Sequence, residues 1–164
     1  MGSKATKRLS MFLTVAVIFM SVCDIFLIVT APLWLKAIYT EDFGDLKIML
    51  GYAYSPDGMI YPLMLAFFIL CGLLCLGILI AAFRILMQIR RDMPFSVHNA
   101  VSMRSAAFCA FGLFAVFMAK MFFSWSILTL VCGGIFLLFG LFVMVISQLV
   151  RVAARIKDEN ELTI

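Results

Sequence analysis

Two residues of opposite charge stand inside otherwise apolar stretches of this chain. Asp24 lies in "FMSVCDIFLIV" and Lys120 closes "FGLFAVFMAK". A lone charge in the middle of a bilayer costs about 3 kcal/mol on the insertion scale, so a partner of opposite sign is the economical reason to keep either one. Each sits about 15 residues into its apolar run, which is roughly 20 Å of helix at 1.5 Å per residue. Equal depth predicts an intramembrane ion pair between Asp24 and Lys120. The alternative is local: Asp24 is protonated or hydrogen-bonded to Ser21 or Thr14, and Lys120 extends its stem toward the interface.

Other reactive side chains offer less. Cys23, Cys71, Cys75, Cys109 and Cys132 all fall within apolar runs, whereas disulfides belong in an oxidising outer loop. Cys71 and Cys75 share a helical face and suit packing as small residues do. His98 is the only histidine, which excludes bis-histidine haem ligation within one chain and makes a histidine-built metal site implausible. There is no phosphate-binding glycine loop, nucleophile elbow or zinc-protease motif. No enzyme activity and no cofactor is expected. A transport route would need several polar groups near the midplane, and beyond Asp24, Lys120, Ser21, Thr14 and Thr129 the runs offer few.

The elements that must position these residues follow from composition. Of 164 residues, 65% are apolar and 13% charged, and the mean hydropathy is +1.15, well outside the range of soluble domains. Four runs, 9–35, 61–83, 105–123 and 127–150, reach the roughly 20 residues a spanning helix needs. They are continuously apolar, unlike the alternating strands of a barrel, so the fold class is all-α: four transmembrane helices in an antiparallel bundle. The first run is too long for a signal peptide and continues into "APLWLKAIY", which reads as a retained span.

Basic residues set the expected orientation. Lys4, Lys7, Arg8, Arg84, Arg90, Arg91, Arg104, Arg151, Arg155 and Lys157 fall on one side, ten of the thirteen, which places both termini in the cytoplasm of a bacterium, in its inner membrane. The outer loop, 36–58, carries Glu41, Asp42, Asp45 and Asp57. The net charge of +4 is thus a topology signal and does not indicate direct nucleic acid binding. The partner it implies is the lipid bilayer, including anionic lipid at the inner face.

One domain, 1–164, accounts for the chain. The outer loop ends in Ser-Pro-Asp-Gly, a turn sequence, and Pro62 falls early in the second span, where its missing N–H is tolerated. In the inner loop, 84–104, a helix is expected to run past Arg91 and stop at Met93, because Pro94 disfavours a helical residue before it. Ser96 then suits the next N-cap. The short link at "FFSWS" predicts a hairpin of spans three and four, with Trp125 at the outer interface. Ala106 with Ala110, and Ala115 with Ala119, would let the third helix approach a neighbour. A homo-oligomer is left open.

Two segments carry a resemblance. "MPFSVHNAVSMR" resembles an inner-loop pattern of Pro94, Phe95, Ser96, then Asn99, then Arg104. The tail 151–164 ends in "KDENELTI", similar to an ending of acidic residues followed by Asn, an acid, Leu, Thr and an aliphatic residue, here Glu159, Asn160, Glu161, Leu162, Thr163 and Ile164. Both patterns resemble the YoaS-like family of small bacterial four-span membrane proteins, domain of unknown function 2975, over the whole chain. Met93 departs from the Gly or Asn common there, and Asp24 and Lys120 are not carried over from it. The resemblance implies, by gene association, a cytoplasmic transcriptional regulator of the helix-turn-helix type as partner, with the two segments as contact candidates. Their local readings are a helix stop, staple and cap at Pro94, Phe95 and Ser96, and for the tail an intramolecular contact of Glu159 or Glu161 with Arg90, Arg91 or Arg104.

These readings predict a non-enzymatic inner-membrane protein with a regulatory or sensory role. A small transporter or transporter subunit, with Asp24 and Lys120 in a polar route, is the main rival. A structural assembly factor of a membrane complex is the third.

Overall fold

A computed structural model of the chain describes residues 2–40, 60–90, 97–122 and 125–161. They form four helices: α1 (Gly2–Thr40), α2 (Ile60–Arg90), α3 (Val97–Met121) and α4 (Ile127–Glu161). No strand occurs among the described residues. Each helix contains a stretch long and apolar enough to cross a membrane, Arg8–Ala37, Tyr61–Arg90, Val97–Met121 and Ile127–Ile156. The chain is a multi-pass membrane protein. Helix is the form this composition must take in lipid, where every backbone N–H and C=O needs a partner within its own segment.

The helices outlast the expected spans at several ends. α1 continues to Thr40 and α4 to Glu161, because charged residues outside the hydrocarbon do not interrupt a ladder the apolar residues have nucleated. Pro32 sits within α1 without ending it, and the Tyr61 hydroxyl donates to the Pro32 carbonyl at 3.2 Å, tying the start of α2 to the end of α1. α3 begins at Val97, one residue after the expected cap. The turn at 55–58, Met93, Pro94, Phe95, Ser96, Leu162, Thr163 and Ile164 lie outside the described residues.

Packing follows chain order: α1 on α2, α2 on α3, and α3 on α4, the last being the most extensive. The hairpin of the third and fourth spans is therefore the centre of the fold. Lipid tails are as apolar as leucine, so helices associate where small residues admit close approach. Ala106, Ala107 and Ala110 of α3 are buried, whereas Ala115 and Ala119 face outward. Across from them, a Cβ added at Gly140 would lie 3.0 Å from Phe111 Cε1 and 3.4 Å from the Ala107 carbonyl oxygen; one at Gly133 would lie 2.8 Å from Met118 Cε. Near one end of this interface the Ser147 hydroxyl donates to the Ala100 carbonyl at 2.8 Å.

A chain of aromatic rings links all four helices. Trp34 of α1 meets Phe68 edge-on, with centroids 4.8 Å apart. Phe68 touches Phe67, Phe67 touches Phe117 of α3 at 5.3 Å, and Phe117 reaches Phe136 of α4 at 5.5 Å. All but the tilted Phe117–Phe136 pair are edge-to-face, and such contacts add specificity to burial that is otherwise non-directional. α1 and α4 themselves make little direct contact, which leaves a cleft between them.

Candidate functional site

That cleft encloses about 470 Å³ and is lined from three helices: Cys23 and Asp24 of α1, Cys75 and Leu79 of α2, and Phe136 and Phe139 of α4. Its volume falls in the range of small-molecule sites, and like them it is apolar with very few polar groups. Asp24 is the one ionisable acid in its wall. The carboxylate is brought up against α2 because Gly72 has no side chain: a Cβ there would lie 3.7 Å from Asp24 Oδ1 and would collide with Ile28 Cγ1. Asp24 Oδ2 is buried and accepts no hydrogen bond among the described residues.

Neither hydroxyl proposed as its local partner serves it. Thr14 Oγ1 donates to the Ser10 carbonyl at 2.7 Å, and Ser21 Oγ to the Val17 carbonyl at 2.8 Å, both back onto their own helix. This is the usual habit of a hydroxyl four residues beyond a free lone pair. A buried polar atom left so is costly, and in a native fold it calls for an explanation.

Lys120 does not supply one. Its ammonium lies 5.0 Å from the centroid of the Phe67 ring, a cation–π distance, and it borders a separate hollow of about 210 Å³ between α2 and α3, with Leu63, Met64, Phe67 and Val116. Asp24 and Lys120 thus contact α2 at different heights, near Gly72 and Cys75 in one case and near Phe67 in the other. The five residues from Phe67 to Gly72 are about 7.5 Å along the axis. No ion pair joins Asp24 and Lys120. Counting from residue 105 misjudged the depth of Lys120, because α3 starts at Val97 and Lys120 stands one residue from its end at Met121.

All five cysteines are free thiols, each half-buried. Cys75 lines the cleft. Cys109 meets α2 where Gly77 makes room: a Cβ at Gly77 would lie 2.8 Å from Cys109 Sγ. His98 is exposed.

The contact candidates of the inner loop and tail separate by burial. Asn99 is 1% exposed, so it belongs to the α3 interface and presents nothing to a soluble partner. Arg104 is exposed, its guanidinium carbon 5.5 Å from the Phe108 ring centroid. Glu159 is exposed and pairs with Arg155 at 3.3 Å, one turn earlier on α4, and Arg91 lies outside the described residues. Asn160 and Glu161 lie on the last turn of α4, and their side chains are outside the described residues.

The whole arrangement, from just after the N-terminus to the tail, falls under a single family. A family model for proteins of unknown function, DUF2975, matches residues 4–164. The chain belongs to this family. Neither the curated proteins nor the solved structures contain a match to it. The family match covers the cleft, the α3–α4 interface and the tail together.

The sequence marked Asp24 but missed what surrounds it. Gly72 and Phe136 carried a weak signal at best, because a glycine or a phenylalanine in an apolar run reads as ordinary packing.

Proposed function

We propose that this protein is a non-enzymatic regulatory or sensory component of the bacterial inner membrane, with both termini cytoplasmic, that modulates a soluble regulator through its inner loop and tail. The observation that carries the reading is the Asp24 carboxylate, with one oxygen buried and without a hydrogen bond among the described residues, in an apolar cleft between two helices that barely touch. Intramembrane ionisable residues are retained at a cost and mark functional positions. A cleft of this kind responds to what fills it: an apolar ligand or a change in the lipid alters the separation of α1 and α4, and α1 begins and α4 ends on the face where most basic residues lie.

The test is a pulldown of a helix-turn-helix regulator encoded beside the gene. The full chain should retain it, deletion of 158–164 should lose it, and Asp24→Asn should change the amount retained. A regulator held equally by all three would end the proposal.

A transport reading is supported by the same carboxylate. It would then rest on Asp24 without Lys120, which borders a different hollow. Cation- or proton-coupled flux in vesicles, abolished by Asp24→Asn, would favour it.

A further inference from the structure

A second site lies at the end of the α3–α4 interface fixed by the Ser147 hydroxyl and the Ala100 carbonyl. A hollow of about 160 Å³ beside that bond is lined by Arg104 of α3 and by Gln148 and Arg151 of α4. Cβ bonds tilt toward the N-terminus of their own helix, so on two antiparallel helices Arg104 and Arg151 lean toward each other's level. No carboxylate lines the hollow among the described residues. Neither arginine is ion-paired among the described residues; the pair seen on α4 joins Arg155 to Glu159.

Arg104 also borders a second, larger hollow of about 430 Å³, whose walls include Leu74, Val101, Phe108 and Cys109. Stacked 5.5 Å from the Phe108 ring, its guanidinium stands between a doubly cationic pocket and an apolar groove that reaches α2. Arg104 and Arg151 close the uncharged runs 105–119 and 127–150 on the side that carries most of the basic residues.

We propose that this is a binding site for an anionic phospholipid. The headgroup phosphate is held by Arg104 and Arg151, with Gln148 donating a further hydrogen bond, and one acyl chain lies along Leu74 and Phe108. Guanidinium groups pair with phosphate oxygens through short, charge-assisted bonds, and basic pockets between spanning helices hold anionic headgroups. Two cations with no carboxylate in the described lining leave nothing there to receive a choline or ethanolamine ammonium, so net-anionic lipid is preferred to zwitterionic. The groove distinguishes a lipid from free phosphate. The site shares no residue with the Asp24 cleft and does not depend on the sensory reading.

The test measures lipid binding to the full chain in detergent by native mass spectrometry, with phosphatidylglycerol, phosphatidylcholine or inorganic phosphate added. Phosphatidylglycerol should bind at least tenfold more tightly than phosphatidylcholine, and inorganic phosphate should neither bind comparably nor displace it. R104Q/R151Q should lose that preference, while R84Q, at an exposed arginine outside the site, should keep it. If the double variant does not fold, R151Q alone should weaken phosphatidylglycerol binding severalfold. The proposal is overturned if R84Q weakens binding as much as the site variants do, which would mean general charge attraction. It is equally overturned if phosphate competes as well as the lipid, or if phosphatidylglycerol binds only after residues 158–164 are deleted, which would assign the pocket to the chain's own acidic tail.

Discussion

α3 and α1 are both long apolar helices, yet they are held in different ways. α3 has extensive neighbours on both sides and buries Ala106, Ala107, Ala110 and Leu113. α1 has one extensive neighbour and turns Phe12, Phe19, Phe26, Val29 and Leu33 outward. Apolar side chains alone do not hold helices together in lipid; close approach and buried hydrogen bonds do. α3 does so on two flanks, whereas α1 does so on one, where Ser10, Thr14 and Ala31 are buried against α2. The helix that bears Asp24 is therefore the one most loosely tied to the bundle, and its free flank is one wall of the cleft.

The largest effect should come from spoiling the close approach. Gly140→Leu places a side chain against Phe111 and the Ala107 backbone, where relief requires the helices to separate. Overpacking of this kind should cost about 3 kcal/mol, read as a lower unfolding midpoint in detergent. Gly134→Ala is the control, since a Cβ there meets nothing within 4 Å. Equal loss in both variants would mean that α3 and α4 are not held by shape.

Next, Asp24→Leu should raise stability, on the order of 2 kcal/mol, because it removes a carboxylate kept in apolar surroundings at a cost. A fall instead would make Asp24 a structural group and α1 no more loosely tied than α3. Ser147→Ala should lower stability by about 0.6 kcal/mol, the average worth of an interhelical hydrogen bond in lipid. The same assay applies to both substitutions. Smallest of all, a double-mutant cycle of Asp24→Asn with Lys120→Met should return a coupling near zero, and exchanging the two charges should recover nothing. Coupling well above the scatter of the measurement would bring the two residues together after all.

The four spans were legible because a run such as 127–150 is long and uncharged, whatever its neighbours. The α3–α4 hairpin was legible from its short connection, and Ala106 and Ala110 from their spacing. Which face of α1 meets which face of α2 was not. Asp24 and Lys120 could be given depths by counting, but counting says nothing about azimuth, and an error in where α3 enters moved Lys120 to the wrong height. The role of Gly72 was invisible for a related reason: a glycine in an apolar helix shows its purpose only when Ile28 and Asp24 are seen to occupy the space it leaves. Asn99 resembled a surface contact from its motif, and only the packing of α3 shows it buried.

The ring contact between Trp34 and Phe68 gives the outlying first helix an optical reporter. The chain has two tryptophans, and Trp125 is 82% exposed, so W125F leaves the emission of a single indole set edge-on against α2. Its wavelength and quenching then read out the seating of α1 in intact membranes, without any added label.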